Sequence, residues 1–111
     1  MTTKKIGDQG EHQAAQFLTE RGYNILERNY RYKRAEVDIV AQLDRLLVFV
    51  EVKTRKNAQF GYPEQFVNPK KIDLLHQAAT AYQENLNWQD DIRFDIIAIT
   101  DGVLEHFEDS F

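Results

Sequence analysis

Five consecutive apolar residues, Leu46 to Val50, run directly into Glu51, Val52, Lys53, Thr54 and Arg55. The most hydrophobic segment of the chain therefore ends in three charges at alternate positions. An apolar run of this length reads as a buried strand. Successive side chains of a strand face opposite sides, so Glu51, Lys53 and Arg55 share one face with Phe49. Moving a charge out of water costs several kcal/mol unless it is paired or bound to a metal. A chain written this way has to surround the strand end with counter-charges or with an ion.

At 111 residues the chain is expected to form one domain, residues 1–111, with 42% hydrophobic residues and seven Phe, five Tyr and one Trp for its interior. It has no cysteine, which excludes a disulfide framework and a thiolate nucleophile or metal ligand. The opening MTTKKIGDQG lacks the apolar stretch of a secretory signal. Leu46–Val50 is far shorter than the roughly 20 apolar residues of a membrane span. A soluble, cytoplasmic protein without a membrane partner is the expectation. The formal net charge of −4 hides a strong asymmetry. From Arg28 to Lys71 ten Lys or Arg stand against five Asp or Glu, whereas Ile72 to Phe111 holds nine acids and one base. The basic middle contains the charged strand end; chance clustering of solvated charge is the plain alternative.

Residues 7–21 read as an amphipathic helix with Ala14, Ala15, Phe17 and Leu18 apolar and Gly22 at its C-terminal cap. Strands are expected at 23–31, 36–42 and 46–54. Only Leu43, Asp44 and Arg45 separate the last two, which predicts an antiparallel hairpin. Residues 57–67, with Gly61 and Pro63, read as a loop. Asn68-Pro69 is a helix start, cap followed by proline at the first position, and the helix runs to about Glu84 with Ile72, Leu75, Ala79 and Tyr82 on one face. A fourth strand at 93–100 leads through Asp101-Gly102, a favoured hairpin turn, into a fifth at 103–108. The order α-β-β-β-α-β-β predicts an α/β fold, one central mixed sheet of about five strands flanked by helices.

Hairpin register decides what the charged strand end does. On the 36–42 strand Glu36, Asp38 and Val40 share one face, and Val37, Ile39 and Ala41 the other. A register that sets Asp38 opposite Glu51 also sets Glu36 opposite Lys53, with the two opposed carboxylates about 5 Å apart at Cβ. A slip of one residue would separate them onto opposite faces. Opposed carboxylates repel unless a cation lies between them. Mg²⁺ commonly takes one or two carboxylates together with waters and phosphate oxygens. Lys53 would then stand beside the phosphate or the attacking water, an arrangement suited to metal-assisted phosphodiester hydrolysis. Ordinary ion pairs among Glu36, Glu51, Lys53 and Arg55 would have the same spacing. Glu11 shares the helix face of Ala14, Ala15 and Leu18, so it is either recruited to the site or held by the helix N-terminus.

The motifs Gly10-Glu11-x-x-Ala14, ERNYR at 27–31, EVDIV at 36–40, VFVEVKTR at 48–55, FGYP at 60–63 and RFDII at 93–97 resemble, in this order, the YraN family of bacterial proteins. More widely they are similar to the PD-(D/E)xK nucleases, including Holliday-junction resolvases and RecB-type nuclease domains. In that superfamily a helix Glu, a strand Asp and an E-x-K on the next strand form the active site. The resemblance implies a restriction-endonuclease-like fold, a Mg²⁺ or Mn²⁺ cofactor, and Glu11, Asp38, Glu51 and Lys53 as catalytic residues. It implies Asp38, Glu51 and the backbone carbonyl of Val52 as metal ligands. Two positions depart from the wider pattern: Val37 precedes Asp38 where proline is common, and Gln77 and Tyr82 are one residue too far apart for the RecB-type Gln and Tyr.

RNYRYKR, residues 28–34, interleaves bases with Tyr30 and Tyr32. Arginines hold phosphates and tyrosines stack on unpaired bases, so Arg28, Tyr30, Arg31, Arg34 and Arg55 are candidate nucleic-acid contacts; a solvated strand edge is the alternative. Lys56, Lys70 and Lys71 either extend that surface or are plain surface residues. Asp95 is a supporting acid of the site or, more simply, the partner of a neighbouring base. His12, His76 and His106 show no metal-ligand spacing, and Trp88 reads as a packing residue. The expected activity is metal-dependent hydrolysis of DNA, branched or structured DNA included, in a protein that would act as a homodimer if it works as resolvases do. A nucleic-acid-binding protein without cleavage and a structural partner protein are the rival readings.

Overall fold

The computed structural model describes residues 3–55 and 67–111. They form, in order, α1 (Thr3–Glu20), β1 (Asn24–Tyr32), β2 (Ala35–Leu43), β3 (Leu46–Arg55), α2 (Pro69–Leu86), β4 (Asp91–Thr100) and β5 (Val103–Phe107). The strands make one sheet in sequential order β1-β2-β3-β4-β5. Neighbours are antiparallel except β3 and β4, which are parallel. Those are the two strands separated by α2, since a parallel pair needs a crossover long enough for a helix. This five-stranded mixed sheet with its two helices is the expected α/β architecture and is consistent with a restriction-endonuclease-like fold.

Both faces of the sheet are covered, and β3 shows why its sequence does not alternate. Val48 and Val50 pack with Ala14, Ala15 and Leu18 of α1, whereas Leu47 and Phe49 pack with Leu75, Ala78 and Ala79 of α2. A strand buried on both sides must be apolar at every position. The local punctuation also follows the sequence. Gly22 closes α1 at φ 91°, with Tyr23 N–H donating to Leu18 O at 3.0 Å, the left-handed C-terminal cap that glycine favours. Asn68 caps α2, its side chain accepting the Lys71 N–H at 2.8 Å, and Asp101-Gly102 turn β4 into β5 with positive φ at both residues. α1 starts at Thr3, four residues before the expected Gly7. The expected loop at 57–67, with the FGYP stretch and Lys56, lies outside the described residues except for Val67.

Two local features shape the end of the sheet where the charges of β3 gather. An added Cβ at Gly10 would stand 3.1 Å from the Thr54 side chain, a tight contact that Thr54 would have to yield to, so glycine eases the close approach of α1 to the end of β3 beside Glu11. The second is a distortion in β2. Strict alternation predicts Val37 on the face of Ile39 and Ala41, yet Val37 packs with Ala35 and Val40 on the α2 side while Ile39 and Ala41 face α1. The break falls at Asp38. The register with β1 passes from Arg28↔Ile39 to Tyr30↔Val37, and Asn29 between them has φ 57°, a left-handed conformation that Asn tolerates. Irregularities of this kind re-aim side chains at strand ends.

Candidate active site

The site forms where β2 leaves β3. Their ladder runs from Leu43↔Leu46 to Ile39↔Val50 and stops there. One further step in this register sets Asp38 against Glu51, as expected. Instead of continuing the backbone ladder, Asp38 Oδ2 accepts the Val52 N–H at 2.7 Å. A residue's N–H and C=O point to the same side of an extended strand, so the Val52 carbonyl faces the gap that β2 vacates. Glu36 does not reach Lys53. It bonds Arg31 across β1 at 2.9 Å, because β2 is paired with β1 and no longer with β3 at this point.

Glu51 is only 5% exposed. Its Oε1 lies 2.7 Å from Lys71 Nζ and 3.4 Å from Lys53 Nζ, while its Oε2 is buried and accepts no hydrogen bond among the described residues. Burial and then the nearby Glu51 push the Asp38 carboxyl up to about 7, with a smaller upward contribution from Glu11, against the opposing Val52 N–H. Burial likewise raises Glu11, against the pull of Arg28. Glu11 Oε1 is buried without a hydrogen bond among the described residues, and Arg28 stands 3.8 Å away. The two lysines diverge. Burial and the Lys71 ammonium hold Lys53 below the usual lysine range, whereas burial of Lys71 is outweighed by its hydrogen bond to Glu51, which raises it.

The fold therefore gathers Glu11, Asp38, Glu51, Val52 and Lys53 at one end of the sheet, and adds Lys71, which the sequence alone leaves on the surface. Its position at the third residue of α2 carries a signal. The positive end of a helix disfavours cations, so a lysine there calls for an anion nearby, and Glu51 is that anion. Among the described residues no three His, Asp or Glu side chains converge on one point. A divalent ion would thus draw on two carboxylates and a carbonyl rather than on a closed protein cage, in keeping with Mg²⁺ chemistry. The residues fit such an ion because Glu51 Oε2 is a buried acceptor without a donor among the described residues, and Asp38 is held toward its neutral form by burial and by the neighbouring Glu51.

The basic hairpin adjoins this site. Arg28, Arg31 and Arg34 are exposed. Tyr30 is different: its ring meets Tyr82 edge-on at 5.0 Å and packs with the α2-side core, so it is engaged as a core aromatic. Tyr32 packs into the same core, with the Lys33 ammonium 5.3 Å from its ring centre. Arg55 Nε donates to Thr100 Oγ1 on the neighbouring strand at 2.9 Å. Asp95 is completely buried on the opposite face of the sheet from Glu51, as the partner of Arg93.

Comparison with known proteins agrees with the motifs. Residues 10–99 match the model of the uncharacterised protein family UPF0102. The chain is 48% identical over 115 residues to a UPF0102 protein of Flavobacterium johnsoniae, covering 96% of this chain and 94% of that one. It is 46% identical over 110 residues to a UPF0102 protein of Flavobacterium psychrophilum, covering 96% and 92%. With a UPF0102 protein of Chlorobium phaeobacteroides it shares 47% identity over 109 residues, covering 93% and 86%. The chain belongs to UPF0102, the YraN family that its motifs resemble.

Proposed function

We propose that this protein is a cytoplasmic, Mg²⁺- or Mn²⁺-dependent nuclease that hydrolyses phosphodiester bonds of DNA, branched or structured DNA included. The observation that carries the reading is that Asp38 and Glu51 lie close enough to repel where the β2–β3 ladder ends, with Glu51 Oε2 buried and without a hydrogen bond among the described residues. Asp38, Glu51 and the Val52 carbonyl would hold the ion. When bound, such an ion polarises the phosphate and makes water a better nucleophile at neutral pH. Lys53, 3.4 Å from Glu51 Oε1, faces the same site; it orients the attacking water and offsets charge that develops on the phosphate oxygens. Glu11 orders water at the site's edge. Arg28, Arg31 and Arg34 hold the DNA backbone, which supplies affinity and position rather than sequence preference. Resolvase-like action on two strands would use a homodimer, which light scattering with and without junction DNA would detect.

Labelled linear, flapped and four-way-junction DNA, incubated in Mg²⁺, Mn²⁺ or EDTA, tests the reading. Metal-dependent cleavage is expected from the wild type and at least a 100-fold slower rate from Lys53→Ala, the scale on which removal of one charge-stabilising group acts. A second reading, binding without cleavage, draws support from the two lysines already on Glu51. Equal, metal-independent DNA binding by both proteins with no product from either would favour it.

A further inference from the structure

We infer that Lys71 is the built-in counter-ion of the carboxylate site, so that a divalent cation entering the site has to compete with its ammonium group for Glu51. The inference rests on the proposed metal site and deepens it by assigning what sets the affinity for the ion. Its basis is geometric. Of the two lysines at Glu51 Oε1, the E-x-K lysine is the more distant, at 3.4 Å, and Lys71 holds the short contact at 2.7 Å.

The backbone of Lys71 is fixed by its N–H bond to Asn68 Oδ1 at 2.8 Å, and Pro69 sets the start of the helix. Its side chain is 35% exposed. The ammonium can therefore swing from Glu51 to water by rotamer changes alone, with α2 in place. The helix end gives it no other reason to stay, because the dipole there opposes a cation. Glu51, with a smaller attraction from Asp38, thus retains Lys71, and an ion that draws charge from these carboxylates removes that retention. A positive charge a few Å from a divalent ion weakens the ion's binding whether or not the lysine fully leaves. A purely structural ion pair makes a different prediction: its loss would lower stability and leave metal affinity where it was.

The test is Mn²⁺ binding at pH 8, read from the electron paramagnetic resonance signal of the free ion, for wild type, Lys71→Met, Lys71→Arg and Asp38→Asn. Lys71→Met is expected to bind Mn²⁺ at least tenfold more tightly than wild type, Lys71→Arg to stay near wild type, and Asp38→Asn to lose binding. Equal affinity of wild type and Lys71→Met, with binding still lost in Asp38→Asn, would overturn the role of Lys71 and leave the metal site standing. No binding by any of them, or binding untouched by Asp38→Asn, would remove the metal reading and the inference with it. Should Lys71→Met fail to fold, wild type with ¹³C-labelled lysine side chains gives the same decision. The Lys71 resonance should move toward that of a free lysine as Mg²⁺ saturates the protein, and a resonance that does not move overturns the inference.

Discussion

Two acids buried on adjacent strands of this sheet meet opposite fates. Asp95 on β4 and Glu51 on β3 are separated by a single register step, since Val50 pairs with Asp95 and Glu51 with Ile96, but they face opposite sides. Asp95 is saturated. Its Oδ1 accepts from Arg93 Nε at 2.8 Å and Asp109 N–H at 3.0 Å, and its Oδ2 meets Arg93 Nη2 and His106 Nε2, each at 2.7 Å. Arg93 in turn donates to the Tyr23 hydroxyl at 2.8 Å. Burial alone would raise the Asp95 carboxyl, yet His106, Arg93 and the Asp109 N–H together hold it below the usual carboxylate range. Glu51 is nearly as buried and its neighbour Asp38 half-buried, with the reverse outcome: Glu51 Oε2 has no hydrogen bond among the described residues, and Asp38 is raised to about 7. Burial of a carboxylate is thus no sign of function by itself. An acid whose surroundings supply too few donors is the one that points to a missing ligand.

Removing the saturated acid has the largest expected effect. Asp95→Asn leaves Arg93 without its buried anion, with only the exposed Glu108 carboxylate 3.7 Å away, and loosens the C-terminal segment, which Asp95 holds through His106 and Asp109. Breaking one side of a buried ion pair costs about 3–5 kcal/mol, which urea denaturation at pH 7 would show as a large drop in midpoint. A loss below about 1 kcal/mol, the scale of an exposed pair, would mean that this network is not what secures the sheet's far edge.

The same kind of substitution at the unsaturated acid has the opposite sign. Asp38 has a folded-state value near 7 against about 3.9 in an unfolded chain. Between those values the folded protein holds a proton that the unfolded chain has released, so stability falls as pH rises from about 4 to 7. Asp38→Asn keeps an acceptor for the Val52 N–H and removes the repelling charge. It should stabilise the metal-free protein by about 1–3 kcal/mol at pH 8, with the gain shrinking to nothing near pH 4. Asp95, lowered in the fold, contributes stability above its unfolded value that is lost on acidification. Denaturation curves for both variants between pH 4 and pH 8 would separate the two cases. A destabilised Asp38→Asn at pH 8 would place Asp38 with the structural acids and end the comparison.

How much of this is legible in the sequence depends on which residue is asked. The seven-element order is legible because caps and turns carry local signals: Gly22, Asn68-Pro69 and Asp101-Gly102 each sit where expected. The two-sided burial of β3 follows from its unbroken apolar run. The Asp38–Glu51 register is legible only as one alternative among several, because β3 is apolar on both faces and does not fix which of its faces meets Asp38. The position of Glu36 is not. Its move to Arg31 depends on β2 parting from β3 beyond Ile39, and the Asn29 distortion that accompanies the parting has no strong sequence mark. The packing of Tyr30 is not legible either, because its partner, Tyr82, lies on α2, far along the chain, and strand periodicity does not say which neighbour covers an edge. Lys71 escapes notice although its place in the first turn of α2 is evident, because the dipole rule names the sign of the needed partner and not its address.

The smallest effect compares the two edges of the sheet. If the basic β1–β2 hairpin beside the unsaturated acids holds DNA, charge removal there should change the salt dependence of binding, while charge removal at an exposed acid of β5 should not. Each phosphate contact contributes close to one unit to the slope of log affinity against log salt. Arg31→Ala and Arg34→Ala should each reduce the slope for duplex or junction DNA by roughly 1. Glu105→Gln, an exposed position on β5 near His106, should leave it unchanged. Fluorescence anisotropy across about 50–200 mM salt, with EDTA present to suppress cleavage, would measure all three. A slope that responds to Glu105 as strongly as to Arg31 would mean that DNA feels only the net charge of the protein. Unequal responses would assign the contact to the β1–β2 edge beside Asp38 and Glu51, and would do so without relying on cleavage.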